Sequence, residues 1–367
     1  MRKALVVHMF KYGLMNLGGG VRVSLSFAKV LKTLGYRVTY CTPCKTDWNL
    51  IKKIYSIQTS PDGECIIPKH VFPLKAYQDI VINFLVKLFQ KADMVVDTAG
   101  TFIPFADIIY IHYPGLLKTV GKNTLLKIYK KPREILLREV GKSFNIILTN
   151  SKYSRDAIIK YLKRDAFVLY PPVDVEKYLS LSKVRDRKNI IVTVGRFIPE
   201  KRFEALLELA KRKSNITFII MGTVKGRDEL SYYFKIKKGI IKNRLRNVVL
   251  KINVPFKEKR EILSKAKIYF HAMIGEHFGV SIVEAMAAGC VPIVHKSGGS
   301  WIDILNIKQG VHGFAYENLE EAEVLIGEIV NNESLRQEIV ETNRTYVKKF
   351  SSKVFERKLH SLLSKFL

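Results

Sequence analysis

Glu276 and Glu284 stand eight positions apart in GEHFGVSIVEAMAAGCVP (275–292), a stretch whose remaining residues are mostly apolar. Burying a carboxylate is costly, so two in such a setting either face solvent or stand at a ligand site. A second constellation is TVGRFIPEK, where Arg196 and Lys201 follow a strand and lead into a helix. Helix N-termini attract phosphate, and two cations beside one can hold a diphosphate without a metal. Each such charge-assisted contact is worth about 1.5–3 kcal/mol. The bland reading, a basic loop in a basic protein, stays open here. NLGGGVRV places Gly18, Gly19 and Gly20 in a backbone that a ligand can approach closely. It departs from the dinucleotide fingerprint G-x-G-x-x-G, because Val23 occupies the last glycine position. His112, in IHYP, falls at the end of an apolar run, where a structural role is the commoner one.

These residues need elements to position them. KIYFHA and CVPIVHK flank the carboxylates as short buried strands, and VSIVEAMAAG has helical spacing that stops at Gly289. Strand, loop, helix and strand in that order imply a parallel pair, with Glu276 beyond a strand's carboxyl end and Glu284 within the helix. The same alternation runs through the chain. KALVVHM, YRVTYC, DMVVDT, DIIYIHY, NIILTN and FVLYPP read as strands of a first α/β domain. The polar LSLSKVRDRKN follows, and IIVTVGRF, ITFIIMG and NVVLKI begin a second domain of the same class. We expect domains at 1–180 and 189–345, a linker at 181–188, and a terminal helix over 346–367 returning to the first domain.

A length of 367 residues suits two domains with large cores. Hydrophobic residues at 47% argue against disorder. The formal charge of +29 points to an anionic partner: nucleic acid, acidic lipid or a phosphorylated substrate. Nucleic acid is disfavoured, since the cations are not interleaved with aromatics on a recognisable module. No signal peptide and no apolar run of 18 residues occurs, so a soluble or peripheral protein on the cytoplasmic side is expected. CTPC with Cys65 and His70 gives only a weak zinc pattern, and Cys41 with Cys44 reads as a redox pair or an incidental CxxC. No Asp-x-Asp pair for a metal-nucleotide occurs, and no metal or cofactor is expected. Two stretches could lie against an anionic membrane: the basic 118–142, with leucines interleaved, and an interrupted apolar helix near 75–91.

Taken together, GR…EK followed by Glu-x7-Glu around Phe-Gly resembles the retaining family 4 glycosyltransferases. DTAGTFIP, IHYPGL, TNSKYSRDAI, YPPVDVEKY and the block from INVPF to SWIDI are similar to the α-1,2-mannosyltransferases of asparagine-linked glycosylation. Ser300 and Trp301 depart from that subfamily, which has a proline and another residue there. The resemblance implies a GT-B fold, two Rossmann-like domains facing each other across a cleft. It implies GDP-mannose as donor and a lipid-linked saccharide as acceptor at the inner face of a membrane. By the same resemblance Arg196 and Lys201 bind the donor diphosphate, Glu284 the ribose and Glu276 the donor sugar. Amides of Phe278, Gly279 and Val280 meet sugar and phosphate, Gly18 to Gly20 close over the diphosphate, and His112 lies near the reacting carbon. Transfer of glucose or N-acetylglucosamine from UDP is the alternative, and an epimerase or phosphorylase on the same fold is a third reading.

Overall fold

The computed structural model describes residues 2–10, 12–16, 18–55, 60–67, 92–104, 106–117 and 124–366. His70, the expected apolar helix near 75–91, and Lys118 and Lys122 of the basic stretch lie outside them. The chain forms two units, Met1–Pro172 with Ser352–Leu367, and Val173–Ser351.

In the first unit the described strands are β1 (Lys3–Val7), β2 (Arg37–Thr42), β3 (Gly63–Ile66), β4 (Met94–Asp97), β5 (Ile108–Ile111), β6 (Ile146–Thr149) and β7 (Phe167–Val168). They pair in the order β3-β2-β1-β4-β5-β6-β7, each pairing parallel. β5 and β6 are buried along their whole length, the signature of strands covered on both faces. The helix Gly19–Thr33 turns Val23, Phe27, Val30 and Leu31 into the core. The C-terminal helix Ser352–Leu363 buries Phe355, Leu359 and Leu363, one residue per turn. It packs on the helix Gly19–Thr33, with Phe355 edge-on to Phe27 at 6.1 Å and Glu356 paired to Lys29 at 2.7 Å.

The second unit repeats the plan with β8 (Lys188–Arg196), β9 (Thr217–Thr223), β10 (Val248–Ile252), β11 (Ala266–His271), β12 (Val291–His295) and β13 (Phe314–Tyr316). Their order is β10-β9-β8-β11-β12-β13, again parallel throughout. Each sheet reverses its winding direction once, between β1 and β4 and between β8 and β11. Ligands of open α/β sheets bind beyond the strands' carboxyl ends at such switch points.

The expected boundary is displaced. Residues 181–188 are no linker: they pack inside the second unit, which begins at Val173. The cause is Arg187, 5% exposed, whose guanidinium donates to the carbonyls of Leu181, Leu263, Ala266 and Ala288. A buried cation persists only when so satisfied, and polar composition alone does not reveal it.

Candidate functional site

The second unit's switch point gathers most of the expected site residues. Arg196 is the last residue of β8 and is exposed. The chain then makes a short 3₁₀ turn, Pro199–Lys201, before the helix Glu204–Arg212. The stem of Lys201 lies over Gly195 and its ammonium reaches across to the loop after β11. There Nζ stands 2.6 Å from Glu276 Oε2 and 3.3 Å from the sulfur of Met273. His271, at the end of β11, places Nε2 3.0 Å from the same Oε2, and the His277 amide donates to Oε1 at 3.0 Å. Glu276 is thus held by an ammonium, an imidazole and an amide.

Electrostatics follow from those contacts. Burial would raise the Glu276 carboxyl, but Lys201 and His271 outweigh it and hold it well below its ordinary value. Burial pushes the His271 imidazole down, against the hydrogen bond it donates to the Glu276 carboxylate, which favours its charged form. A carboxyl depressed in the folded state gives stability present above its unfolded value and lost as pH falls through the folded one. The stability difference between the native chain and Glu276→Gln is therefore expected to be level from neutrality to about pH 5 and to shrink below about pH 4. Denaturant midpoints of the two proteins across that range check it; a gap that stays constant to pH 3 contradicts the assignment.

The loop carrying Glu276 is pinned by a second one. Gly299 donates its amide to the Glu276 carbonyl at 2.7 Å, and Ser297 Oγ accepts from the Gly275 amide at 2.9 Å. Between them Gly298 has φ +72, and a Cβ there would come 2.4 Å from the Glu276 carbonyl oxygen. Gly298→Ala is expected to cost about 1–3 kcal/mol through overpacking against backbone, read as a lowered melting temperature. Gly279, φ +105, likewise turns the chain into the helix Val280–Ala287 and offers that N-terminus no side-chain cap. The Phe278 ring is buried edge-on to Phe350 at 5.5 Å, so only its backbone remains for a ligand.

Glu284 sits within that helix, 5% exposed. It is paired to Lys259, whose Nζ stands 2.6 Å from Oε2 and 5.6 Å from the centre of the buried Tyr178 ring. Burial would lower the Lys259 ammonium, but Glu284 and Tyr178 raise it above its ordinary value, so Lys259 keeps its charge. Sequence reading missed Lys259, one of several charges in the helix Phe256–Lys265. Its spacing gave a usable signal, since Ile262 and Leu263 three and four residues later are that helix's buried residues. His271 was missed as well, ending a strand whose other side chains, Lys267 apart, are apolar or aromatic.

The remaining expected residues lie in the first unit. Gly18 is the N-cap of the helix Gly19–Thr33, so Gly19 and Gly20 form its first turn rather than a free loop. Glycine serves there because a Cβ at Gly20 would stand 2.9 Å from the Phe10 ring and 3.3 Å from His112 Nε2. His112 follows β5, with Nε2 3.1 Å from the Thr98 carbonyl. His8, fully buried with Nδ1 3.0 Å from Thr98 Oγ1, belongs to the same cluster and was not anticipated. Cys41 stands in register with Cys65 on β3, not against Cys44, and all four cysteines are free thiols. Among the described residues no group of three or more His, Cys, Asp or Glu could hold a metal.

Residues 174–346 match the family model described as glycosyl transferases group 1. That match spans a little less than half of the chain. Both constellations around Glu276 and Glu284 fall inside it. Among curated proteins, the human GDP-Man:Man(3)GlcNAc(2)-PP-Dol alpha-1,2-mannosyltransferase is 30% identical over 234 residues, covering 59% of this chain and 48% of its own. The Dictyostelium discoideum protein of the same name is 29% identical over 286 residues, 72% of this chain and 55% of its own. The chain thus spans about half the length of the curated relatives it matches. Among solved structures, Anabaena HepE in complex with UDP and glucose superposes with a TM-score of 0.74 at 15% identity, covering 99% of this chain and 100% of that one. Sucrose-phosphate synthase from Thermosynechococcus elongatus gives 0.76 at 13% identity, covering 100% and 99%. The fold is the GT-B fold of glycosyltransferases, built from two Rossmann-like α/β domains.

Proposed function

We propose that this protein is a retaining mannosyltransferase that moves mannose from GDP-mannose to a lipid-linked oligosaccharide of the dolichyl diphosphate type. The observation that carries the reading is the pair of lysine-held carboxylates at the second unit's switch point, within the residues that match the group 1 glycosyltransferase family. The names of the curated relatives supply the donor and the acceptor class.

In this reading Glu284 accepts hydrogen bonds from the ribose hydroxyls and Glu276 from the donor sugar. Lys201 has three N–H groups, so it can keep Glu276 and still donate to the diphosphate. Arg196 adds a cation at the carboxyl end of β8, and the amides opening the helix Val280–Ala287 add a positive end. Together they stabilise the negative charge that grows on the leaving GDP, the task a metal performs elsewhere, and we assign no metal to the reaction. The acceptor hydroxyl attacks the anomeric carbon on the face that GDP leaves. The departing phosphate oxygen takes the hydroxyl proton, so the glycosidic bond forms as the carbon–phosphate oxygen bond breaks, without a carboxylate base. The protein acts peripherally at the cytoplasmic face of the membrane that holds the acceptor. Among the described residues no helix is long and apolar enough to cross a membrane.

The test is transfer itself. Full-length protein with GDP-mannose, EDTA and a synthetic lipid-linked mannosyl acceptor should release GDP only when acceptor is present and yield an α-linked product. Transfer from UDP-glucose or UDP-N-acetylglucosamine in its place would keep the site and discard mannose. Nucleotide release without acceptor would favour a different reaction on the same fold.

A further inference from the structure

The first unit carries a surface feature that the donor site does not use. A groove of about 530 Å³ runs between β7 and the end of the C-terminal helix, lined by Phe167, Arg357, Lys358, Leu362, Lys365 and Phe366. Phe167 is 55% and Phe366 57% exposed, large rings that a soluble surface would ordinarily cover. The helix that supplies most of the lining is already anchored through Phe355, Leu359 and Leu363 on its other face. Among its groove-lining residues Leu362 also packs against that core, while the three cations are exposed. Arg357, Lys358 and Lys365 are exposed, and none has an acidic partner within ion-pair distance among the described residues.

That is unlike the other basic face considered for membrane contact. In the helix Thr124–Ser143, Arg138 pairs with Glu134 and Lys142 with Glu139 along the same helix, so part of its charge is already neutralised. The groove combines uncompensated cations with exposed aromatic rings. Such a combination fits a surface that is anionic at headgroup level and apolar just beneath.

We propose that this groove docks the first unit on an anionic phospholipid bilayer, the cations meeting headgroup phosphates and Phe167 and Phe366 entering the acyl boundary. The proposal is independent of donor identity. Each basic residue near an anionic membrane contributes a factor of roughly five, so removing three should weaken partitioning about a hundredfold.

The experiment is flotation of the full-length protein with vesicles of phosphatidylcholine alone or with about one third phosphatidylglycerol, which supplies the anionic surface. The native protein should float with the anionic vesicles only. Arg357→Ser, Lys358→Ser and Lys365→Ser combined should lose about two orders of magnitude in partitioning. Phe167→Ser with Phe366→Ser should also weaken it while leaving the charge intact. All these residues are exposed, so melting temperature and donor-induced stabilisation should be unchanged in each variant. Native protein that fails to float overturns the proposal, as does a triple-serine variant that floats like native. Equal binding of native protein to single-stranded RNA, lost in the same triple variant while vesicle binding is kept, would assign the groove to nucleic acid and overturn it too.

Discussion

Lys201→Met is expected to reduce transfer at least about tenfold at saturating donor, and to lower stability by about 2 kcal/mol. The two consequences have one origin. The Lys201 ammonium lies 2.6 Å from Glu276, and the two side chains are only 17% and 12% exposed. Removing the ammonium leaves a carboxylate that is mostly withdrawn from water and retains only His271 and the His277 amide. In the proposed function it also removes a cation that donates to the donor diphosphate. Adding Glu276→Gln to Lys201→Met should restore much of the lost stability, because the stranded charge is gone, while transfer stays low. Kinetics and denaturant unfolding of the two single variants and the double one separate the effects. If the double variant is as unstable as the sum of the singles, the pair is not coupled and the geometry has been misread.

The second large effect is expected at Lys259. It approaches Glu284 from the helix Phe256–Lys265. In the proposed function its role is to aim the Glu284 carboxylate, which it holds at 2.6 Å. Lys259→Met should therefore raise KM for the donor by roughly tenfold or more, the worth of one charge-assisted hydrogen bond, with a much smaller change in kcat. Lys259→Arg should recover part of the affinity, since a guanidinium restores the charge at a slightly different reach. A loss confined to kcat, or no rescue by arginine at all, would move Lys259 out of this positioning role.

Much of this site was legible because parallel sheets write their pattern plainly. Strands such as IIYI and IILT are mostly apolar and buried end to end, and each is followed by a loop at the sheet's carboxyl edge. Glu276 and Arg196 could be placed there from order alone, since both stand just beyond or at the end of a strand. What escaped was set by contacts distant in sequence. Glu276 draws on His271 five residues earlier and Lys201 seventy-five residues earlier, and only folding brings all three together. Arg187 looked like linker material because its carbonyl partners come from three separate segments. The glycines at 18–20 looked like a loop, since glycine weakens a helix; in the fold Gly20 yields its side-chain space to Phe10 and His112. β3 and β13, of four and three residues, were too short to show a period.

Glu284 and its neighbours are proposed to hold a guanosine diphosphate sugar without metal. Thermal unfolding of the native protein and of Glu284→Ala, each with GDP-mannose in EDTA, tests it most directly. A ligand at a hundred times its Kd stabilises by about 2.7 kcal/mol. The native protein should therefore melt several degrees higher with GDP-mannose, and Glu284→Ala should show little or no rise. An equal rise in both proteins, or a rise in native protein only with added metal, would contradict the account.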